Sequence, residues 1–76
     1  MYLNEANPGD TIVIQNLNKI DPPRRNGLRD MGLYERGIVY IDQKDDESIH
    51  FHKDSITLAI ALDEASLIEV RPYVRD

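Results

Sequence analysis

The sequence predicts an all-β protein: a small barrel of about five antiparallel strands, with one short helix between strands 1 and 2. Two observations carry this expectation. Apolar and β-branched residues recur in short runs, several of them at alternate positions, and clusters of Gly, Pro, Asn, Asp or Ser separate the runs. A single helix signature, Asp21-Pro22 at its start and Gly32 at its stop, interrupts the series. The 76 residues leave room for one domain, residues 1–76.

In chain order, Asn7-Pro8-Gly9-Asp10 is a turn signal, and the β-branched run from Thr11 to Gln15 follows as strand 1, with Ile12 and Ile14 on one face. Asp21 is placed to cap the helix with its carboxylate, and Pro22 suits the first helical position, where its missing N–H costs nothing. Gly32 suits the left-handed position after the helix, which brings Leu28 and Leu33 into the contact of a Schellman stop. The helix should run from Pro22 to Met31. Gly27 inside it costs about 1 kcal/mol relative to Ala, which a close approach to a strand would justify.

Strand 2 is Ile38 to Ile41 and strand 3 is Ile49 to His52, joined by the polar turn Asp45-Asp46-Glu47-Ser48. Asp54-Ser55 turns the chain again. Strand 4 alternates Ile56, Leu58, Ile60 and Leu62 with Thr57, Ala59 and Ala61, a pattern expected near the middle of a barrel. Asp63 to Ser66 is a short turn, or one turn of helix. Leu67 to Arg71 is the last strand, with Ile68 and Val70 inward, and Pro72 ends it.

Composition narrows the function classes. There are no cysteines, so disulfides and thiolate metal sites are excluded. The net charge of −5 disfavours nucleic acid as a partner. No secretory signal opens the chain, and the longest apolar run, Leu58 to Leu62, is far short of a membrane span. A cytoplasmic protein without direct membrane insertion is expected. A domain of this size cannot both hold a core and wall off a deep substrate cavity. Ser48, Ser55 and Ser66 lack a base and its orienter, and no phosphate-binding glycine loop is present, so an enzyme is not expected.

Two groups of residues are candidates for binding. His50 and His52 stand at i and i+2 of a strand and so share a face. With Asp54 or an acidic turn residue as third ligand they can hold a divalent transition metal, iron or zinc; two exposed histidines opposite Ile49 and Phe51 are the plainer reading. No obligate cofactor is implied. Arg24, Arg25 and Arg29 form a basic cluster on the helix, able to pair with carboxylates of a partner protein or simply to face solvent. Strand edges, Tyr34 and the tail Pro72 to Asp76 add surface for a partner. Asp45-Asp46-Glu47 lacks the spacing of a calcium loop.

The order of the pieces carries a resemblance. Pro8-Gly9-Asp10-Thr11-Ile12-Val13-Ile14 is followed by Arg25-Asn26-Gly27-Leu28-Arg29-Asp30-Met31-Gly32-Leu33, then by Gly37, by Ile56-Thr57-Leu58-Ala59, and by Ala65-Ser66-Leu67-Ile68-Glu69-Val70. From about Asn7 to Arg71 the chain resembles the FeoA family, ferrous iron transport protein A, whose module also forms the C-terminal domain of iron-dependent repressors of the diphtheria-toxin-repressor type. The resemblance implies an SH3-like barrel. It also implies a cytoplasmic accessory that binds the cytoplasmic GTPase part of a FeoB-type membrane ferrous iron transporter, with no catalytic residue. Where the family often has Pro-Gly this chain has Arg36-Gly37, and where it often has a glycine turn before strand 4 this chain has Lys53-Asp54-Ser55.

Overall fold

The period-two apolar pattern is realised as one antiparallel sheet. A computed structural model describes residues 1–74. A short 3-10 turn (Leu3–Glu5) is followed by β1 (Thr11–Asn16), α1 (Pro22–Asp30), β2 (Ile38–Lys44), β3 (Ser48–Lys53), β4 (Ile56–Ala61), α2 (Leu62–Ala65) and β5 (Glu69–Pro72). The sheet order is β4-β3-β2-β1-β5, and every pairing is antiparallel. The inward residues Ile12, Ile14, Val39, Ile41, Ile49, Phe51, Ile60 and Val70 belong to one buried cluster. Strands at both ends of the order therefore curl around the same core, as in an SH3-like barrel.

The helix stop forms as its residues predict. The Leu33 N–H donates to the Leu28 carbonyl at 2.9 Å and the Gly32 N–H to the Arg29 carbonyl at 3.0 Å, with Gly32 at φ +98°. This is the paired hydrogen bonding of a Schellman motif, and Leu28 and Leu33 are both fully buried. The helix ends at Asp30, one residue short of the expected Met31. Its start differs in mechanism. Asp21 occupies the N-cap position, but its side chain makes no capping hydrogen bond. Gly27 has no atom within 4 Å of the place a Cβ would occupy, so no close approach to a strand explains it.

Four features depart from the sequence expectations. The N-terminal segment, given no element by its sequence, is structural: the Val70 N–H donates to the Met1 carbonyl at 2.8 Å, the Leu3 N–H to the Ile68 carbonyl at 2.9 Å, and Leu3 and Ala6 are buried. β4 lies at the end of the sheet order and not near its middle. A strand with one neighbour has no second strand to cover it, so of Ile56, Leu58 and Ile60 only Ile60 is buried, and Ile56 is 43% exposed; Leu62, expected in this strand, instead opens α2. In β1, Val13 is buried along with Ile12 and Ile14, so both faces of that strand are covered. The fourth lies at the two places where the sequence departs from the family pattern: Arg36 (φ +72°) and Asp54 (φ +55°) are left-handed. A proline cannot reach Arg36's conformation, so this turn is built differently from a Pro-Gly turn.

β2 carries a bulge. Ile41 pairs with Phe51 and Gln43 with His50, which leaves Asp42 as the extra residue. Beyond the bulge, Lys44 reaches the Asn4 carbonyl at 3.1 Å and ties the 3-10 turn to the sheet.

The two glycines of the helix region should respond oppositely to alanine. Gly32→Ala forces a side chain into the left-handed region and should cost about 1–2 kcal/mol, read as a lower midpoint in urea. Gly27→Ala meets open space in a helical interior and should gain about 0.5–1 kcal/mol.

Candidate functional site

Two surfaces hold the candidate residues. The first is the outer face of the β2–β3 hairpin. Ile49 and Phe51 are fully buried, so alternation turns His50 and His52 outward. Their partners differ. The His52 Nδ1 lies 2.8 Å from Asp42 Oδ1 and 2.9 Å from Oδ2. Its ring stacks on Tyr40, the residue opposite it on β2, with centroids 5.1 Å apart and planes 19° apart. The bulge makes this contact possible, because Asp42 is freed from pairing with β3 and both of its oxygens meet the imidazole.

His50 turns toward the hairpin end. Its Nε2 is 3.2 Å from Ser48 Oγ and 3.7 Å from Asp45 Oδ2. Asp45 is already committed, since its Oδ1 accepts the Glu47 and Ser48 N–H groups at 2.8 and 2.9 Å. These hydrogen bonds, from Glu47 first and Ser48 second, hold its carboxyl below the usual carboxylate range. Asp45 is thus a turn-former, as the polar hairpin signal predicts. Among the described residues no three His, Cys, Asp or Glu side chains are gathered in a way that could hold a metal ion. The arrangement as it stands offers two imidazoles, each hydrogen-bonded to its own neighbours. The sequence signal for Asp42 is the break in alternation at Asp42-Gln43, two polar residues in succession.

The second surface is α1. Arg24 and Arg29 are exposed, and each makes a forked pair with a carboxylate. Arg24 Nε and Nη2 donate to Glu64 of α2 at 2.9 and 2.8 Å. Arg29 Nη2 donates to Glu35 at 2.8 Å, with Nε at 3.3 Å. Hydrogen bonding by the guanidinium depresses the carboxyl pKa of both glutamates and raises that of Arg24. Arg25 has another role. It is partly buried, and its Nε donates to the Leu17 carbonyl at 3.1 Å while Nη2 donates to those of Asn18 (3.3 Å) and Ile20 (2.9 Å). It staples the β1–α1 connection. The three arginines therefore share a helix but not a function.

Two further features complete the surface. An open groove of about 560 Å³ lies between the N-terminal segment and the end of β5, lined in part by Met1, Glu5, Asp10 and Tyr73. Its carboxylates are engaged locally, Glu5 by the Tyr2 N–H and Asp10 by the Asn7 N–H. Tyr34, Tyr73 and Val74 are exposed; Arg75 and Asp76 lie outside the described residues. No helix among the described residues is long and apolar enough to cross a membrane.

Comparison with known proteins places this geometry. A family model described as FeoA domain matches residues 1–72. Among solved structures, the crystal structure of an iron uptake regulatory protein (FeoA) superposes with a TM-score of 0.85 at 23% identity, covering 96% of this chain and 97% of that one. The solution structure of a FeoA protein from Chlorobium tepidum gives a TM-score of 0.88 at 23% identity, covering all of this chain and 73% of that one. A manganese-dependent transcriptional repressor gives 0.84 at 19% identity, over 95% of this chain but only 40% of its own. A comparison with curated proteins finds no significant match. At these identities the structural likenesses establish the fold, and the family match stands separately.

The arginines should separate by stability. Arg25→Ala removes the donor to three carbonyls at a partly buried site and should cost about 1–3 kcal/mol, whereas Arg24→Ala removes one surface pair and should cost about 0.2–1 kcal/mol. Thermal melts distinguish the two. Glu64 has a depressed folded-state pKa, so the stability it contributes is present above its ordinary value of 4.5 and is lost as pH falls through the lower folded value. The stability gap between the parent and Glu64→Gln should accordingly be full at neutral pH and close as the pH drops below 4.5.

Proposed function

Because this chain belongs to the FeoA domain family, we propose that it is a cytoplasmic accessory of bacterial ferrous-iron uptake. It acts by binding the cytoplasmic GTPase part of a FeoB-type transporter and not by catalysis. The observation that carries the reading is the family match over residues 1–72, nearly the whole chain. The likeness to FeoA structures over 96–100% of the chain supports it at the level of fold.

The binding surface in this proposal is α1. Arg24 and Arg29 are exposed and forked, a geometry suited to carboxylates, and their present partners are also on the surface. Exposed pairs of this kind are worth about 1 kcal/mol or less, so a partner's carboxylates can replace Glu64 and Glu35 at little cost. Arg25 supports this surface from beneath by fixing the segment that leads into the helix.

A second reading, binding of ferrous or zinc ion by His50 and His52, draws on one observation: both imidazoles stand on the same outer face of β3. It requires at least one further donor from water, a partner or a rearranged Asp42.

An NMR titration of labelled protein with the GTPase domain, with and without Fe²⁺, tests both. The expected result is a set of amide shifts centred on α1 and its flanks, caused by the GTPase domain alone and reduced in the Arg24→Glu, Arg29→Glu variant. Absence of association in every nucleotide state would overturn the proposal. Saturable broadening confined to His50 and His52 with Fe²⁺ alone would favour the second reading.

A further inference from the structure

We infer that the free edge of β4 is a self-association surface, on which a second copy of this chain adds its own β4 in antiparallel register to give a continuous ten-stranded sheet. The inference is independent of the transporter-binding reading.

The two ends of the sheet are treated differently. At β5, the edge is occupied: Met1 exchanges hydrogen bonds with Val70, Tyr2 bridges to Glu69, and Pro72 ends the strand. At β4 nothing comparable is found among the described residues. This strand pairs with β3 through six consecutive residues without a bulge. The Leu62 N–H donates to the Glu47 carbonyl just beyond that ladder. The antiparallel alternation then directs the backbone groups of Ile56, Leu58 and Ile60 toward β3 and those of Thr57, Ala59 and Ala61 outward. These three residues are all exposed.

Edges of this kind are commonly guarded by a charge, a proline or a bulge. β4 has none of the three. Ser55 to Leu62 carry no charge, in a chain that is 30% charged and has a net charge of −5. A partner strand of the same sequence therefore meets no acidic side chain within the ladder.

The sequence of the edge is self-complementary about Ala59. With Ala59 facing its own copy, Thr57 faces Ala61 of the second strand, and the outward residues exchange four hydrogen bonds, two between the Ala59 residues and one from each Ala61 N–H to the Thr57 carbonyl; the Ala61 carbonyl is already engaged as the N-cap of α2. The same register sets Leu58 opposite Ile60 on the inner face and brings Ile56 to Leu62, the first residue of α2. Ile56 and Leu58 are the residues of this face that the monomer leaves partly or largely exposed. On the outer face only Thr57, Ala59 and Ala61 approach, and none is large enough to obstruct the pairing. A single added strand pair buries much less than a standard interface of about 1,600 Å². Association is consequently weak, with a dissociation constant of about 10 μM to 1 mM, and it strengthens with salt as repulsion between two acidic copies is screened.

Sedimentation equilibrium of the full chain up to about 1 mM, at low and high salt, is the test. The expected result is a monomer–dimer equilibrium that shifts toward dimer at high salt. Ala59→Lys places like charges opposite one another at the two-fold centre and should abolish the dimer, as should Ala59→Glu. An equimolar mixture of the two variants should restore it, because the ammonium introduced in one copy then faces the carboxylate introduced in the other. Ala59 is exposed, so both variants should keep the parent's amide spectrum apart from β4. A monomer under all conditions would overturn the inference. So would a dimer unaffected by Ala59→Lys, or a failure of the mixture to recover association.

Discussion

One face of one curled sheet supplies half of the buried core cluster of this protein, and the turns and short helices between its strands must supply the rest. With 76 residues and no disulfide, the chain has no second layer to bury its apolar side chains against. The sheet therefore curls, and Ile60 from one end of the strand order meets the same cluster as Val70 from the other. Everything else in the structure serves that closure. The 3-10 turn contributes Leu3 and its neighbour Ala6, α1 contributes Leu28, and α2 contributes Ala65. Each is a small element that presents few buried residues and plugs a gap the strands leave.

Because the inner face is taken up by packing, binding chemistry is confined to the outer face, the edges and the helix. The three differ in how tightly their side chains are held. On the hairpin, the bulge at Asp42 allows a carboxylate and an aromatic ring to hold one imidazole, while Asp45 is spent on the turn. On α1, the forked arginine pairs are exposed and exchangeable, but the helix itself is fixed at both ends. Arg25 secures the entry through three carbonyls, and the Schellman stop at Gly32 secures the exit. A helix of nine residues has little stability of its own, so these two anchors and the burial of Leu28 hold it in place. The surface proposed to meet a transporter is in this sense a helix anchored at both ends that bears exposed charges.

The likeness to FeoA structures holds at 23% identity. In this chain the curl goes with buried residues at alternate strand positions, a glycine after the helix and short turns. The turns themselves are free to change, as Arg36 and Asp54 show by adopting left-handed conformations without glycine. A left-handed conformation at a residue other than glycine costs about 1–2 kcal/mol.

The sequence by itself determined what depends on neighbours a few residues away. Ile49 and Phe51 inward with His50 and His52 outward follows from the pleat, and the helix with its stop follows from Asp21-Pro22 and Gly32 under local steric rules. The turn at Asp45 follows from a carboxylate accepting its neighbours' N–H groups. Tertiary structure alone decided what depends on pairing between distant segments. Met1 meets Val70 across 69 positions, β4 lies at the end of the strand order, Arg24 finds Glu64, and the bulge hands Asp42 to His52. Arg24, Arg25 and Arg29 look equivalent along the chain, yet one reaches inward to carbonyls and two reach outward to carboxylates. The physical reason is that periodicity and capping report the conformation of each segment, whereas register and strand order are settled only when the segments compete for one shared core.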